Sequence, residues 1–68
     1  MTASEKDQQV IDLALKVSGN NREIAAARLR LRAMYWDVQA DASTGDQAAA
    51  FKRAAADRRR VAALLEGE

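Results

Sequence analysis

Apolar residues recur along the chain at the spacing of amphipathic helices, in three segments separated by two short polar breaks. The breaks are Ser18-Gly19-Asn20-Asn21 and Asp41-Ala42-Ser43-Thr44-Gly45, where glycine and small polar residues end one helix and begin the next. The pattern predicts helices at about 4–17, 21–40 and 45–65. Capping-box spacing between Asn20 and Glu23 further predicts that Asn20 caps the second helix.

The three predicted helices define an all-α fold, a single helical domain over residues 1–68. Sixteen of the 68 residues are alanine and none is proline, a composition that favours helix throughout. Because both breaks are short, consecutive helices should run antiparallel. Two arrangements satisfy this pattern: a small three-helix, mostly antiparallel bundle, or a helical hairpin with an extra N-terminal helix.

The second predicted helix carries two apolar stripes. The first consists of Ile24, Ala27, Leu31, Met34 and Val38, and the second of Ala26, Leu29, Ala33, Trp36 and Ala40. Both stripes follow the alternating three- and four-residue spacing of a coiled-coil seam. A helix that packs on one side needs a single stripe. The pattern therefore predicts that this helix is either the middle of a bundle or shared with a partner chain.

The composition argues against most catalytic chemistry. The chain has no cysteine and no histidine, which removes thiolate metal sites and the commonest general base. Asp37 and Asp41 lie one helical turn apart, but no third ligand is close in sequence. We expect a non-enzymatic protein with no catalytic residue, metal, cofactor or small-molecule substrate.

No apolar run approaches the roughly 20 residues of a membrane span. The N-terminal residues are polar and lack the apolar core of a signal peptide. We expect no membrane partner and a cytoplasmic location, or a place within a phage particle. Small helical proteins rich in alanine and arginine are common among phage and bacterial accessory proteins, an analogy that fits this expectation.

Two adjacent aromatic residues point to a protein contact. Tyr35 and Trp36 project about 100° apart on a helix, so one narrow core cannot hold both. Tryptophan and tyrosine are enriched at binding hot spots, although Trp36 in the core with the Tyr35 hydroxyl in water is an equal alternative. The sequence predicts a protein–protein interaction or assembly subunit whose partner is another protein or copies of itself. The predicted partner-binding residues are Leu29, Met34, Tyr35, Trp36, Arg28 and Arg32.

Arginine is concentrated in residues 22–32 and 51–60, although the whole chain carries a net charge of only +1. Basic helix faces suit a phosphate-bearing partner, but they also occur as solvated charges whose stems cover an apolar core. The candidate nucleic-acid contacts are Arg22, Arg28, Arg30, Arg32, Arg58, Arg59 and Arg60.

The stretch SGNNREIAAARL at residues 18–29 resembles the first half of a helix-turn-helix, an asparagine-capped helix with an alanine pair. Members of that family continue with a glycine turn and a recognition helix. In this chain Leu29-Arg30-Leu31-Arg32 continues the helical period where that turn belongs. The resemblance implies nucleic-acid binding through arginine-rich helix faces as the alternative function.

Overall fold

The computed structural model describes residues 4–67, which form three α-helices. These are α1 (Glu5–Val17), α2 (Arg22–Asp41) and α3 (Gly45–Leu65). The all-α fold is confirmed, and every helix begins and ends within one residue of the predicted position. Of the described helices, none combines the length and the apolar character that crossing a bilayer requires.

The turn between α1 and α2 uses two left-handed residues. Gly19 and Asn20 have φ angles of 61° and 62°, and the Asn20 backbone N–H donates to the Leu15 carbonyl at 2.8 Å. Glycine and asparagine are the residues that adopt this conformation at least cost. The helix cap consequently falls on Asn21, whose side-chain oxygen accepts from the Ile24 N–H at 3.1 Å. The prediction that Asn20 is the cap is wrong by one residue.

The helices α2 and α3 pack against each other as a hairpin through small side chains. Six alanines on the two helices are buried, with exposures of 3% or less. Side chains this small permit close approach of two helices but bury little area each. The six are Ala25, Ala26, Ala33 and Ala40 of α2 with Ala55 and Ala62 of α3.

The first helix covers only one end of this hairpin. Ile11 and Ala14 of α1 join Leu29, Val61 and Leu65 in the main apolar cluster, where all three helices meet. The opposite end is closed by Trp36, which stacks on Phe51 with 5.4 Å between ring centroids and 16° between planes. The fold is therefore a small three-helix bundle in which a long α2–α3 hairpin supports α1.

Ion pairs between distant segments tie the helices together. Arg30 pairs with Glu66, and Arg59 pairs with Asp37, so both pairs link α2 to α3 or its end. The Arg22 Nε–H donates to the Leu65 carbonyl at 2.9 Å, which anchors the start of α2 to the last residue of α3. Exposed ion pairs contribute little to stability individually. Their main consequence here is that these guanidinium groups are already bonded to oxygens of the same chain.

Candidate interaction surfaces

The two apolar stripes of α2 lie on opposite sides of the helix. One, which we term the core stripe, faces the interior: Ala26, Leu29, Ala33 and Ala40 are buried and Trp36 is half-buried. The other, which we term the outer stripe, is exposed along its whole length and consists of Ile24, Ala27, Leu31, Met34 and Val38. The sequence therefore correctly identified two stripes, and the structure shows that α3 uses only one of them.

The outer stripe contains large side chains that no other part of the described chain covers. Leu31 is 65% exposed, Val38 is 64% exposed and Met34 is 60% exposed. Single exposed apolar residues are normal on protein surfaces, whereas a continuous exposed row marks an interaction surface or an aggregation liability. The row on α2 is straight, because its spacing keeps every member on one face.

Tyr35 and Trp36 diverge as their positions on the helix require. Trp36 turns towards Phe51 and is half-buried, while Tyr35 is 51% exposed at the edge of the outer stripe. The two rings still touch edge to face, with centroids 5.1 Å apart and planes at 70°. The Trp36 indole N–H is buried and has no hydrogen-bond acceptor among the described residues. The Trp36 ring thus packs in the interface between α2 and α3.

The predicted partner-binding residues separate into two groups. Met34, Tyr35, Arg28 and Arg32 lie on the surface, whereas Leu29 is only 7% exposed and belongs to the apolar cluster. Leu29 is therefore not open to a partner in this fold, and Trp36, which is half-buried, is open only in part. The residues that sequence reasoning left out of the predicted contact are Ile24, Ala27, Leu31 and Val38. Their spacing was visible in the sequence, but spacing alone does not say which stripe faces α3.

The arginines also separate into two groups. Arg22, Arg30, Arg59 and Arg60 are each bonded to an oxygen within the chain. The other three candidates, Arg28, Arg32 and Arg58, make no ion pair with any carboxylate among residues 4–67. These three line a single groove of about 330 Å³ between α1 and the hairpin. The apolar wall of this groove is formed by Val10, Leu13, Ala14 and Val17 of α1.

Asp7 is a buried carboxylate that sequence reasoning did not single out. Arg60 donates to both of its oxygens, one of them at 3.0 Å, and also donates to Asp57. Hydrogen bonds from the Arg60 guanidinium hold the pKa of Asp7 below its usual value, against the opposing effect of burial. The arrangement fastens the start of α1 to α3. No local sequence signal could have revealed it, because the two residues lie 53 positions apart.

The acidic residues do not assemble into a metal site in the part of the chain that the structure describes, where no three potential ligands come together. Asp37, one of the two aspartates considered in the sequence, is paired with Arg59. The Asp37 carboxylate, which a hard cation would need as a ligand, is thus already paired with a guanidinium group.

The segment that resembles the first half of a helix-turn-helix leads into a continuous helix in the structure. Helix α2 runs unbroken from Arg22 to Asp41, through the point after Leu29 where that motif would turn. Within α2 the alanine pair is therefore followed by more of the same helix, and no turn leads to a separate recognition helix at that point. Comparisons of the chain with protein-family models, with curated proteins and with solved structures found no match. The functional argument therefore rests on the two exposed surfaces described above.

Proposed function

We propose that this protein is a non-enzymatic interaction or assembly subunit that binds its protein partner through the outer stripe of α2. The observation that carries the proposal is the unbroken exposed row from Ile24 to Val38. Burying one large apolar side chain stabilises a complex by roughly 1.5–3 kcal/mol. Several such side chains in one row supply enough free energy for association.

The rigid support beneath the outer stripe favours binding. The core stripe of the same helix is fixed against α3, so α2 is already helical before any partner arrives. A preformed surface avoids the ordering cost that a flexible segment would incur on binding. Tyr35, Arg28 and Arg32 lie beside the stripe along one edge and supply the polar rim that protein interfaces usually have.

Site-specific photo-cross-linking in living cells tests this proposal and captures whichever protein lies against the stripe. A photoreactive amino acid replaces Met34 in the outer stripe, and the matched control places it at Ala49, an exposed position on α3. Irradiation of cells that produce the protein should give a discrete adduct at position 34 and none at position 49. Equal labelling at both positions, or no adduct at either, would contradict the proposal.

A second candidate function is nucleic-acid binding, and a specific observation favours it. Arg28, Arg32 and Arg58 gather around one groove although no carboxylate of residues 4–67 neutralises them. Guanidinium groups held close together suit the phosphates of a nucleic-acid backbone. Of the seven arginines that the sequence offers as candidate contacts, this proposal uses only these three, because the other four are bonded to oxygens of the chain.

Fluorescence anisotropy with a labelled DNA duplex at about 50 mM salt distinguishes this candidate from the first. Contacts to three phosphates predict a log–log salt slope of roughly −3, from about −0.9 per phosphate. Replacing Arg28 and Arg32 with glutamine should abolish the binding, whereas the same change at Arg53, on the exposed face of α3, should reduce it little. A flat titration with the unaltered protein would eliminate this candidate.

A further inference from the structure

The outer stripe has the heptad spacing of a coiled-coil seam. Ile24, Leu31 and Val38 occupy the first apolar position of successive heptads, and Ala27 and Met34 occupy the second. Among parallel coiled coils that carry leucine at the second position, β-branched residues at the first position favour two strands. Two of the three residues there, Ile24 and Val38, are β-branched. The first positions thus largely match this preference, whereas Ala27 and Met34 stand in place of leucine at the second. The charges beside the seam, rather than its apolar residues, therefore indicate the orientation of the two helices.

The charges beside the seam are complementary to a second copy of the same helix. In this heptad frame Glu23 lies on one edge of the seam and Arg28 on the other, five positions later. A parallel pair of helices brings these two edges together, so that Glu23 of one copy meets Arg28 of the second copy. Twofold symmetry creates this ion pair twice.

The fold leaves both of these residues available. Among the described residues, neither Glu23 nor Arg28 forms an intramolecular ion pair. The other charged residues on the Glu23 edge are Arg30 and Asp37, which are bonded to Glu66 and Arg59. Arg30 and Asp37, which a parallel dimer would not pair across the seam, thus have partners within the chain. Glu23 and Arg28, which it would pair, do not.

An antiparallel pair would use these charges less well. Antiparallel helices place like edges of the seam together, so the edge with Glu23 would face the same edge of the second copy. Glu23 of one copy would then lie away from Arg28 of the second copy, and both residues would stay unpaired at the interface. Loss of the Glu23–Arg28 contact therefore favours the parallel orientation.

We infer that the partner of the outer stripe is a second copy of this chain, and that the two α2 helices pair in parallel and in register. This inference rests on the proposed interaction function of the same surface. The seam spans only two heptads, and interfaces of this kind are smaller than those of stable complexes. The helices are preformed, however, so we expect a weak dimer with a dissociation constant of about 1–100 μM.

Disulfide trapping provides the test, and the chain suits it because it has no cysteine of its own. Ala27→Cys places a thiol at a seam position that faces its own counterpart in a parallel, in-register dimer. Ala49→Cys makes the same substitution at an exposed position on α3 and serves as the matched control. At about 100 μM protein, the seam variant should form a covalent dimer at least about tenfold faster than the control.

A mixed reaction identifies the orientation. Chains with Ala27→Cys are oxidised together with chains of distinguishable mass that carry Val38→Cys. A parallel dimer gives disulfides that join identical positions, whereas an antiparallel seam gives the mixed product because opposite ends of α2 meet. Predominance of the mixed product would overturn the parallel arrangement.

Light scattering of the unaltered chain separates this inference from the function on which it rests. A dimer at about 200 μM protein is expected, within the dissociation constants that a small interface gives. A monomer at that concentration, with no faster trapping at position 27, would overturn the second copy as the partner. In that case, a photo-cross-linked adduct of position 34 with another protein in cells would still support the proposed function. The absence of any adduct would contradict both the proposed function and the dimer.

A charge exchange checks the Glu23–Arg28 contact itself. Glu23→Arg and Arg28→Glu should each weaken self-association by about tenfold, because each creates two like-charged pairs across the seam. A mixture of the two variants should recover dimers, since every seam contact then joins opposite charges. Unchanged self-association of both single variants would contradict the proposed register.

Discussion

Asp7 shows how a long-range contact determines the properties of one residue. Asp7 is only 5% exposed, yet its carboxylate is charged at neutral pH, because hydrogen bonds from Arg60 to both oxygens lower its pKa. A buried carboxylate without such a partner would instead favour its neutral form. The contact makes the docking of α1 dependent on pH, and this dependence can be predicted with its sign.

The Asp7→Asn variant should be less stable than the unaltered protein at neutral pH. The pKa of Asp7 lies below its usual value of 3.8 in the folded state, chiefly because of hydrogen bonds from Arg60. A group whose pKa is lowered on folding stabilises the fold above its unfolded pKa, and that contribution is lost as the pH falls through the folded pKa. The difference in urea midpoint between the two proteins should therefore shrink on acidification below about pH 3.8.

Circular dichroism during urea titrations at several pH values measures this difference. Asp12→Asn is the matched control, because Asp12 is an exposed carboxylate on the same helix that forms no ion pair among the described residues. The control should leave the urea midpoint at neutral pH nearly unchanged. Equal stabilities of Asp7→Asn and the unaltered protein at neutral pH would show that the Arg60 contact does not hold α1.

The individual helices follow from local rules, and their bounds were accordingly predictable. Each helix has a polar residue before its first turn, and after Gly45, the first residue of α3, no proline or glycine interrupts any of the three helices. The error at the start of α2 has a local cause as well. Two adjacent asparagines both suit a cap, and only the left-handed conformation of Asn20 assigns that role to Asn21.

Substitutions at the two asparagines should therefore have different effects. Asn21→Ala removes the side-chain acceptor of the Ile24 N–H and should lower the free energy of unfolding by about 1 kcal/mol. Asn21→Asp keeps that acceptor and should retain stability. Asn20→Gly should also retain stability, because glycine adopts a φ of 62° without strain. Chemical denaturation of the three variants compares them, and an equal loss for Asn20→Gly and Asn21→Ala would contradict the observed cap.

The arrangement of the helices depends on contacts that no local pattern contains. Both stripes of α2 have the same spacing, and the larger side chains of the outer stripe make it the more apolar of the two. The structure selects the other stripe because its alanines match Ala55 and Ala62 of α3, while Trp36 meets Phe51 beyond them. Shape complementarity between two helices decides which face is buried, and it can be assessed only once both helices are placed together.

The same substitution on the two faces of α2 should therefore have different effects on stability. Ala33 is fully buried against α3, so Ala33→Leu forces extra atoms into a filled interface and should cost about 1–3 kcal/mol. For a chain of this size, that cost lowers the melting temperature by roughly 4–24 °C. Ala27 is exposed on the outer stripe, so Ala27→Leu should leave the melting temperature of the monomer nearly unchanged.

The solution mass of the Ala27→Leu variant is the second measurement, because this substitution enlarges the apolar seam between two copies. Burial of the added side chain between two copies should tighten self-association by about tenfold or more, since each 1.4 kcal/mol is a factor of ten. A melting temperature that falls equally for both variants would mean that both faces of α2 are packed within one chain, and the outer stripe would then be core. Tighter association with an unchanged monomer fold would instead mean that α2 holds the hairpin together with one face and joins two chains with the other.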